Sequence, residues 1–195
     1  MEAFVFPIAS FAFVTSITPG PNNIMLASSG LRFGFARSAP HLLGVLIGFV
    51  FLVGLCGLGI GALLLALPSL YVALKVIATL YLLYFAWQLR SSALASAVDG
   101  EPMSFMGAVL FQFANPKAWM MAVTGAAAFM PPLEPYWLAI AMLCALFGAV
   151  NFPCIAAWTL LGSALRRVLD DVRWQRVFNN GMALLTVYSA AAIWL

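Results

Sequence analysis

Residues 3–31 of this chain carry no charged side chain, and between Arg37 and Lys75 the only titratable group that ionises near neutrality is His41. A bilayer core of roughly 30 Å is crossed by about 20 apolar residues in a helix, so each run is long enough to span it. The whole chain has nine basic and six acidic residues among 195, with 65% hydrophobic residues. A soluble domain needs roughly a quarter of its residues charged to face water. This chain is therefore expected in a membrane.

Backbone amides in lipid must be paired internally, which leaves helices or a closed barrel. Barrel strands alternate polar and apolar residues over about ten positions, whereas the runs here are continuously apolar. The expected fold is an all-α integral membrane protein with six transmembrane helices. Span one carries the run before Arg32, span two covers 41–67 and span three 70–89. Span four covers 104–130, closed by Pro131-Pro132, and spans five and six cover 135–163 and 177–195. Met1-Glu2-Ala3 lacks the positive start of a signal peptide, so the first span is expected to be retained.

Lys and Arg in the connections set orientation. Arg32, Arg37, Arg90, Arg166, Arg167, Arg173 and Arg176 fall in alternate connections, and the turns around Pro68 and Glu134 hold no basic residue. Both termini are then expected outside and the basic loops in the cytoplasm. The segment from Arg166 to Arg176 reads as a short helix on the inner surface. The basic residues form no stripe, so nucleic acid is not an expected partner.

The polar stretch 91–101 divides one membrane domain into repeats 1–90 and 102–195. Three spans in each half make the second half enter the membrane from the opposite side, an inverted repeat. The first span of each half holds a helix-breaking cluster: Thr18-Pro19-Gly20-Pro21-Asn22-Asn23 in one, Asn115-Pro116-Lys117 in the other. A shift by 97 residues lays Pro19 on Pro116. Proline removes an amide donor, so carbonyls near each cluster lose their helical partners and must face protein or water. Broken spans at matching positions of two halves mark a transporter's substrate site. A kink made only for packing is the plainer alternative.

Lys117 lies too deep for easy snorkelling and is expected to bind a substrate carboxylate or to order the broken backbone. Gln112 shares the helix face of Asn115, and Asn151 beside Pro153 forms a further polar kink; both are candidate binding residues. His41, expected at the cytoplasmic start of span two, is with Lys117 a candidate for proton coupling. Lys75, near a membrane edge, reads as a snorkelling lysine. No Asp or Glu falls within a span, which favours a zwitterionic substrate over a cation. Gly44 with Gly48, and Gly57 with Gly61, allow close helix approach, with a homodimer face as the lesser reading. Trp87, Trp137, Trp174 and Trp194 read as an interfacial belt. Cys56, Cys144 and Cys154 read as small apolar residues with no CxxC spacing. No cofactor or metal is expected, and no enzyme activity.

The string from Thr18 to Asn23, Gly34, Tyr81-Leu82 and the run from Gln112 to Lys117 together resemble the LysE/RhtB family of bacterial amino-acid exporters. The resemblance covers nearly the whole chain. It implies an inner-membrane exporter of small amino acids driven by the proton gradient, with threonine, homoserine, leucine, cysteine with O-acetylserine, or lysine and arginine as substrates across the family. The stretches 17–24 and 184–191 look most similar to the cysteine/O-acetylserine branch. Ala78 and Ala86 stand where family members often have glycine. Span two lacks the acidic residue of the lysine-exporting branch, which argues against lysine or arginine. A membrane scaffold without transport and a membrane thiol-redox conduit are the competing readings.

Overall fold

The computed structural model describes residues 2–61, 66–91, 100–168 and 172–194. The polar stretch between the halves and the middle of the last basic connection fall largely outside them. The described residues form helices joined by short connections. These are α1 (Glu2–Ile17), α2 (Pro21–Phe33), α3 (Phe35–Gly57), α4 (Pro68–Ser91), α5 (Phe105–Ala114), α6 (Pro116–Phe129), α7 (Tyr136–Val168) and α8 (Val172–Ala192).

Local chemistry sets their ends. Pro21 and Pro116 each take the first turn of a helix, where a missing N–H costs nothing. Gly34 adopts φ 81°, ends α2 through its N–H to the Gly30 carbonyl at 2.9 Å, and starts α3 in the same residue. Only glycine takes that backbone conformation freely. Ser104 caps α5 by accepting from the Gly107 amide at 3.1 Å.

Helices α3 and α7 cross at the centre. Helix α7 packs on α1, α2 and α3, α3 packs also on α5 and α6, and α4 pairs with α8. Phe147 of α7 is fully buried where four helices meet, its ring 6.2 Å from that of Phe11 and 6.0 Å from that of Phe49. Gly125 of α6 leaves room for it, since a Cβ there would stand 2.7 Å from Phe147 Cζ. The closest backbone approach joins α2 to α7: a Cβ at Gly30 would strike the Thr159 carbonyl, and one at Gly162 the Ala27 carbonyl. Gly44 and Gly48 of α3 face Phe105, Ala108 and Val109 of α5. Their spacing therefore serves packing within the chain.

The outside of the bundle is apolar. Phe6 is 76% exposed and Leu184 71%, with Trp87, Leu110 and Phe13 also more than half exposed. Soluble monomers rarely show contiguous apolar surface of this kind, and lipid accounts for it. By length and composition α3 and the stretch Tyr136–Arg166 suffice to cross a bilayer, and α1 with α2 passes the same test only as a pair, bent by 56° at the break between them.

Three expected boundaries are corrected. Span two is α3, which starts at Phe35 and ends at Gly57, before a turn with Gly59 at φ 98°. Charge punctuation misplaced it because Arg37 and His41 sit inside the helix. His41 is accordingly six residues beyond the helix start and 2% exposed, away from the helix end. The separate surface helix from Arg166 to Arg176 does not occur among the described residues: Arg166 extends α7, while Arg173 and Arg176 occupy the start of α8.

Candidate functional site

A helix that ends inside a bundle leaves its last carbonyls without helical partners. Helix α1 ends at Ile17, and every carbonyl from Val14 to Pro19 has a donor. Val14 accepts from the Thr18 amide at 3.4 Å, and Thr15 from the Thr18 hydroxyl at 3.1 Å. Ser16 accepts from Asn23 Nδ2 at 2.7 Å and Ile17 from the indole of Trp158 at 3.1 Å. Thr18 accepts from Asn23 Nδ2 at 2.8 Å and from Lys117 Nζ at 2.8 Å. Lys117 Nζ also donates to the Thr18 hydroxyl at 2.9 Å and the Pro19 carbonyl at 3.3 Å. An ammonium has three donors, and all of Lys117's are spent on the opposite break.

The second break follows the same logic. Asn115 caps α6 by accepting from the Lys117 amide at 3.1 Å, and its own amide donates to Gln112 O at 3.2 Å. The indole of Trp119 donates to the Phe113 carbonyl at 2.9 Å. Each break thus has a last-turn carbonyl held by an indole. Among the prolines, Pro21 occupies the helix position that Pro116 occupies, so the helix starts pair these two instead of Pro19 with Pro116.

Asn22 and Gln112 bind the two breaks together. Asn22 Nδ2 donates to Gln112 Oε1 at 2.8 Å, and Gln112 Nε2 returns a bond to Asn22 Oδ1 at 3.3 Å. Gln112 is fully buried and also donates to Ala108 O at 3.0 Å. Gly48 makes space for it, a Cβ there falling 2.8 Å from Gln112 Cγ. We expect Asn22→Ala and Gln112→Ala to be coupled by about 1 kcal/mol in a double-mutant cycle of SDS unfolding. Additive single effects would mean that the amide pair contributes nothing.

Between these elements lies a cavity of about 20 Å³, lined by Ser16, Asn23, Phe49, Asn115, Lys117 and Asn151 among others. It has room for about one water molecule and none for an amino acid. Asn151 Nδ2 donates to Ser16 Oγ at 3.0 Å, while its Oδ1 is buried without a protein partner. Such an acceptor inside a membrane protein is costly unless something donates to it. Thr18, Pro19, Gly20, Pro21, Asn22, Asn23, Gln112, Asn115, Pro116, Lys117 and Asn151 are thus brought together as their spacing suggests. His41 is apart: it is not among the residues lining this cavity, and its Nδ1 is buried without a protein partner.

Trp158, Trp119 and Ser16 were not legible as site residues. A tryptophan far from either end of its span departs from an interfacial belt, and that was the available signal for Trp119. Lys75 lines a second, larger cavity of about 440 Å³ together with Pro19, Gly20, Lys117, Tyr188 and Ser189. A groove of about 700 Å³ between α4 and α8 is lined by Leu83, Trp87, Arg90, Asn180 and Leu184 among others, and none of its described lining residues belongs to either break.

The family described as LysE type translocator matches residues 13–194. Curated relatives named cysteine/O-acetylserine efflux protein are similar over 189 residues. That of Klebsiella pneumoniae subsp. pneumoniae is 32% identical, covering 94% of this chain and 93% of the relative. Those of Escherichia coli K12 and Shigella flexneri serotype 5b are each 30% identical, covering 94% of both chains. No solved structure matches the chain.

Proposed function

The chain belongs to the LysE-type translocator family, and from that premise we propose that it exports small neutral amino acids across the bacterial inner membrane. Cysteine and O-acetylserine, named for its relatives, are the first substrates to consider; threonine and homoserine are the next. The observation that carries this reading is the Lys117 ammonium, contributed by the second half and held on the carbonyls that the first half's break exposes. It stands at a cavity lined by four Asn residues and, among the described residues, no Asp or Glu. That set suits a zwitterion. The ammonium of Lys117 takes the carboxylate, and Asn151 Oδ1 with the freed carbonyls takes the amino group.

The mechanism is alternating access between two inverted three-span repeats, 1–90 and 102–195. Support comes from the matched helix starts at Pro21 and Pro116 and from the indole held on each break. It comes also from the exchange of partners, with α3 of the first half against α5 and α6 and α7 of the second against α1 and α2. A cavity of about 20 Å³ fits an occluded state without substrate, which must open to load. A substrate carboxylate competes with Thr18 and Pro19 for the three donors of Lys117, so loading and loosening of the break occur together. Proton antiport is the proposed drive. Lys117 is better placed than His41 to couple it, because it lines the site. The proposed orientation has both termini on the periplasmic side, which the basic residues of the alternate connections support.

Proteoliposomes loaded with labelled cysteine, O-acetylserine, threonine or homoserine test this. Efflux of at least one of them, accelerated by an inward proton gradient, is expected. If none leaves faster than from empty liposomes, the export reading fails.

A further inference from the structure

Helices α4 and α8 pack against each other and run antiparallel. The Trp194 indole, just past α8, donates to Thr79 Oγ1 in the first half of α4 at 2.9 Å, while Arg90 near the end of α4 shares the groove with Asn180 of α8. Ala86 and Ala183, both buried, lie in this groove among the larger Leu83, Trp87, Leu184 and Val187. Small side chains at those two positions leave about 700 Å³ that neither helix fills.

The lining changes character along the pair, in register on both helices. Arg90 and Asn180 make one end polar. Leu83 on α4 and Val187 on α8 lie about two helical turns further in, roughly 10 Å along the axis. Arg176, exposed, precedes Asn180 by one turn on the same face of α8 and extends the basic end. Trp87, 64% exposed and one turn before Arg90, is the residue type that sits where hydrocarbon gives way to headgroups. Among the described residues no Asp or Glu lines the groove.

A groove that is cationic at one end and apolar along the rest has the polarity of a single lipid standing in it. The charge selects which lipid. A zwitterionic headgroup would add an ammonium beside two arginines, whereas an anionic one brings only the phosphate charge they attract. A second copy of this chain fits less well, because a two-fold contact through this face sets Arg90 at the same level as its own copy. We infer that the α4–α8 groove is a binding site for one anionic phospholipid, its phosphate on Arg90 and Asn180 and an acyl chain lying over Ala86 and Ala183. The inference does not depend on the export reading.

Native mass spectrometry of the purified chain in detergent with added lipid tests it. One phosphatidylglycerol is expected to be retained, and phosphatidylcholine with the same chains should bind about tenfold more weakly, as should phosphatidylglycerol to Arg90→Gln, the effect of one charge-assisted hydrogen bond. Arg37→Gln, an exposed arginine outside the groove, should leave binding within about twofold. Phosphatidylglycerol brominated along its chains should quench tryptophan fluorescence saturably, and Trp87→Phe should remove most of that quench. Phosphatidylglycerol should also raise the melting temperature, and inorganic phosphate at equal phosphorus should not. Equal binding of the two lipids, indifference to Arg90→Gln, a quench that survives Trp87→Phe, or an equal rise from inorganic phosphate each overturns the lipid site. A dimer that shields Trp87 from the brominated lipid makes the groove a subunit seam and overturns it as well.

Discussion

Lys117→Met reduces amino-acid exchange by at least about 100-fold while the protein still folds. The side chain makes three hydrogen bonds to Thr18 and Pro19, and charge-assisted bonds contribute about 1.5–3 kcal/mol each. Losing about 3 kcal/mol at the step where substrate replaces carbonyl is worth about two decades in rate. The fold survives because other donors remain: Asn23 still serves Ser16 and Thr18, and Trp158 still serves Ile17. Removing a lysine from the membrane interior also relieves its desolvation. Arginine is not a substitute. Gly20 lies against the Lys117 stem, its Cβ position 2.8 Å from Cδ, so the wider guanidinium has no room to turn. Efflux assayed at matched amounts of folded protein gives the answer, and activity above half of wild type in Lys117→Met removes the lysine from the mechanism.

Gly162→Val and Gly30→Val each lower the melting temperature in detergent by about 6–12 °C, corresponding to about 3 kcal/mol for a chain of this size. Helices α2 and α7 meet backbone to backbone at these positions. A Cβ at Gly162 runs into the Ala27 carbonyl, and one at Gly30 into the Thr159 carbonyl. Backbone cannot move aside as a flexible side chain can, so the helices must separate. Separation also shifts Trp158, one turn before Gly162, off the Ile17 carbonyl, and exchange falls with stability. Two glycines serve as controls. Gly181 has nothing within 4 Å of its Cβ position and Gly54 only Cys144 Sγ at 3.5 Å, so alanine at either leaves melting unchanged or slightly raised. Thermal unfolding of all four variants decides it; equal melting for Gly162→Val and Gly54→Ala would mean that α2 and α7 do not depend on contact.

The plainer readings account for fewer of these features. A packing kink explains Pro19 or Pro21 alone. It does not explain a lysine from another helix placed on the exposed carbonyls, or the amide pair of Asn22 and Gln112. A thiol conduit requires two cysteines within disulfide reach. Cys56, Cys144 and Cys154 are all free, with the Cys144 thiol directed at the Val50 carbonyl at 3.6 Å.

The membrane class, the helical fold and both helix breaks were legible in residue order because they rest on local physics. A charge-free run longer than a bilayer needs can go only one way, and proline ends helices wherever it sits beside glycine or asparagine. Family membership was legible for the same reason, since its motifs are those breaks. Helix ends were less legible. Arg37 and His41 are tolerated inside α3, so charge did not mark its start. What only the tertiary structure decided is which group satisfies which. The donors for the carbonyls between Ser16 and Pro19 come from Asn23 nearby, but also from Lys117 and Trp158, about 100 and 140 positions away. Lys75 meets the ring of Trp194, at the far end of the described chain, and lines a cavity with both breaks. Pairings of that kind depend on how helices cross, and crossing is set by small residues such as Gly30 and Gly162, which meet across two helices and form no motif along either one.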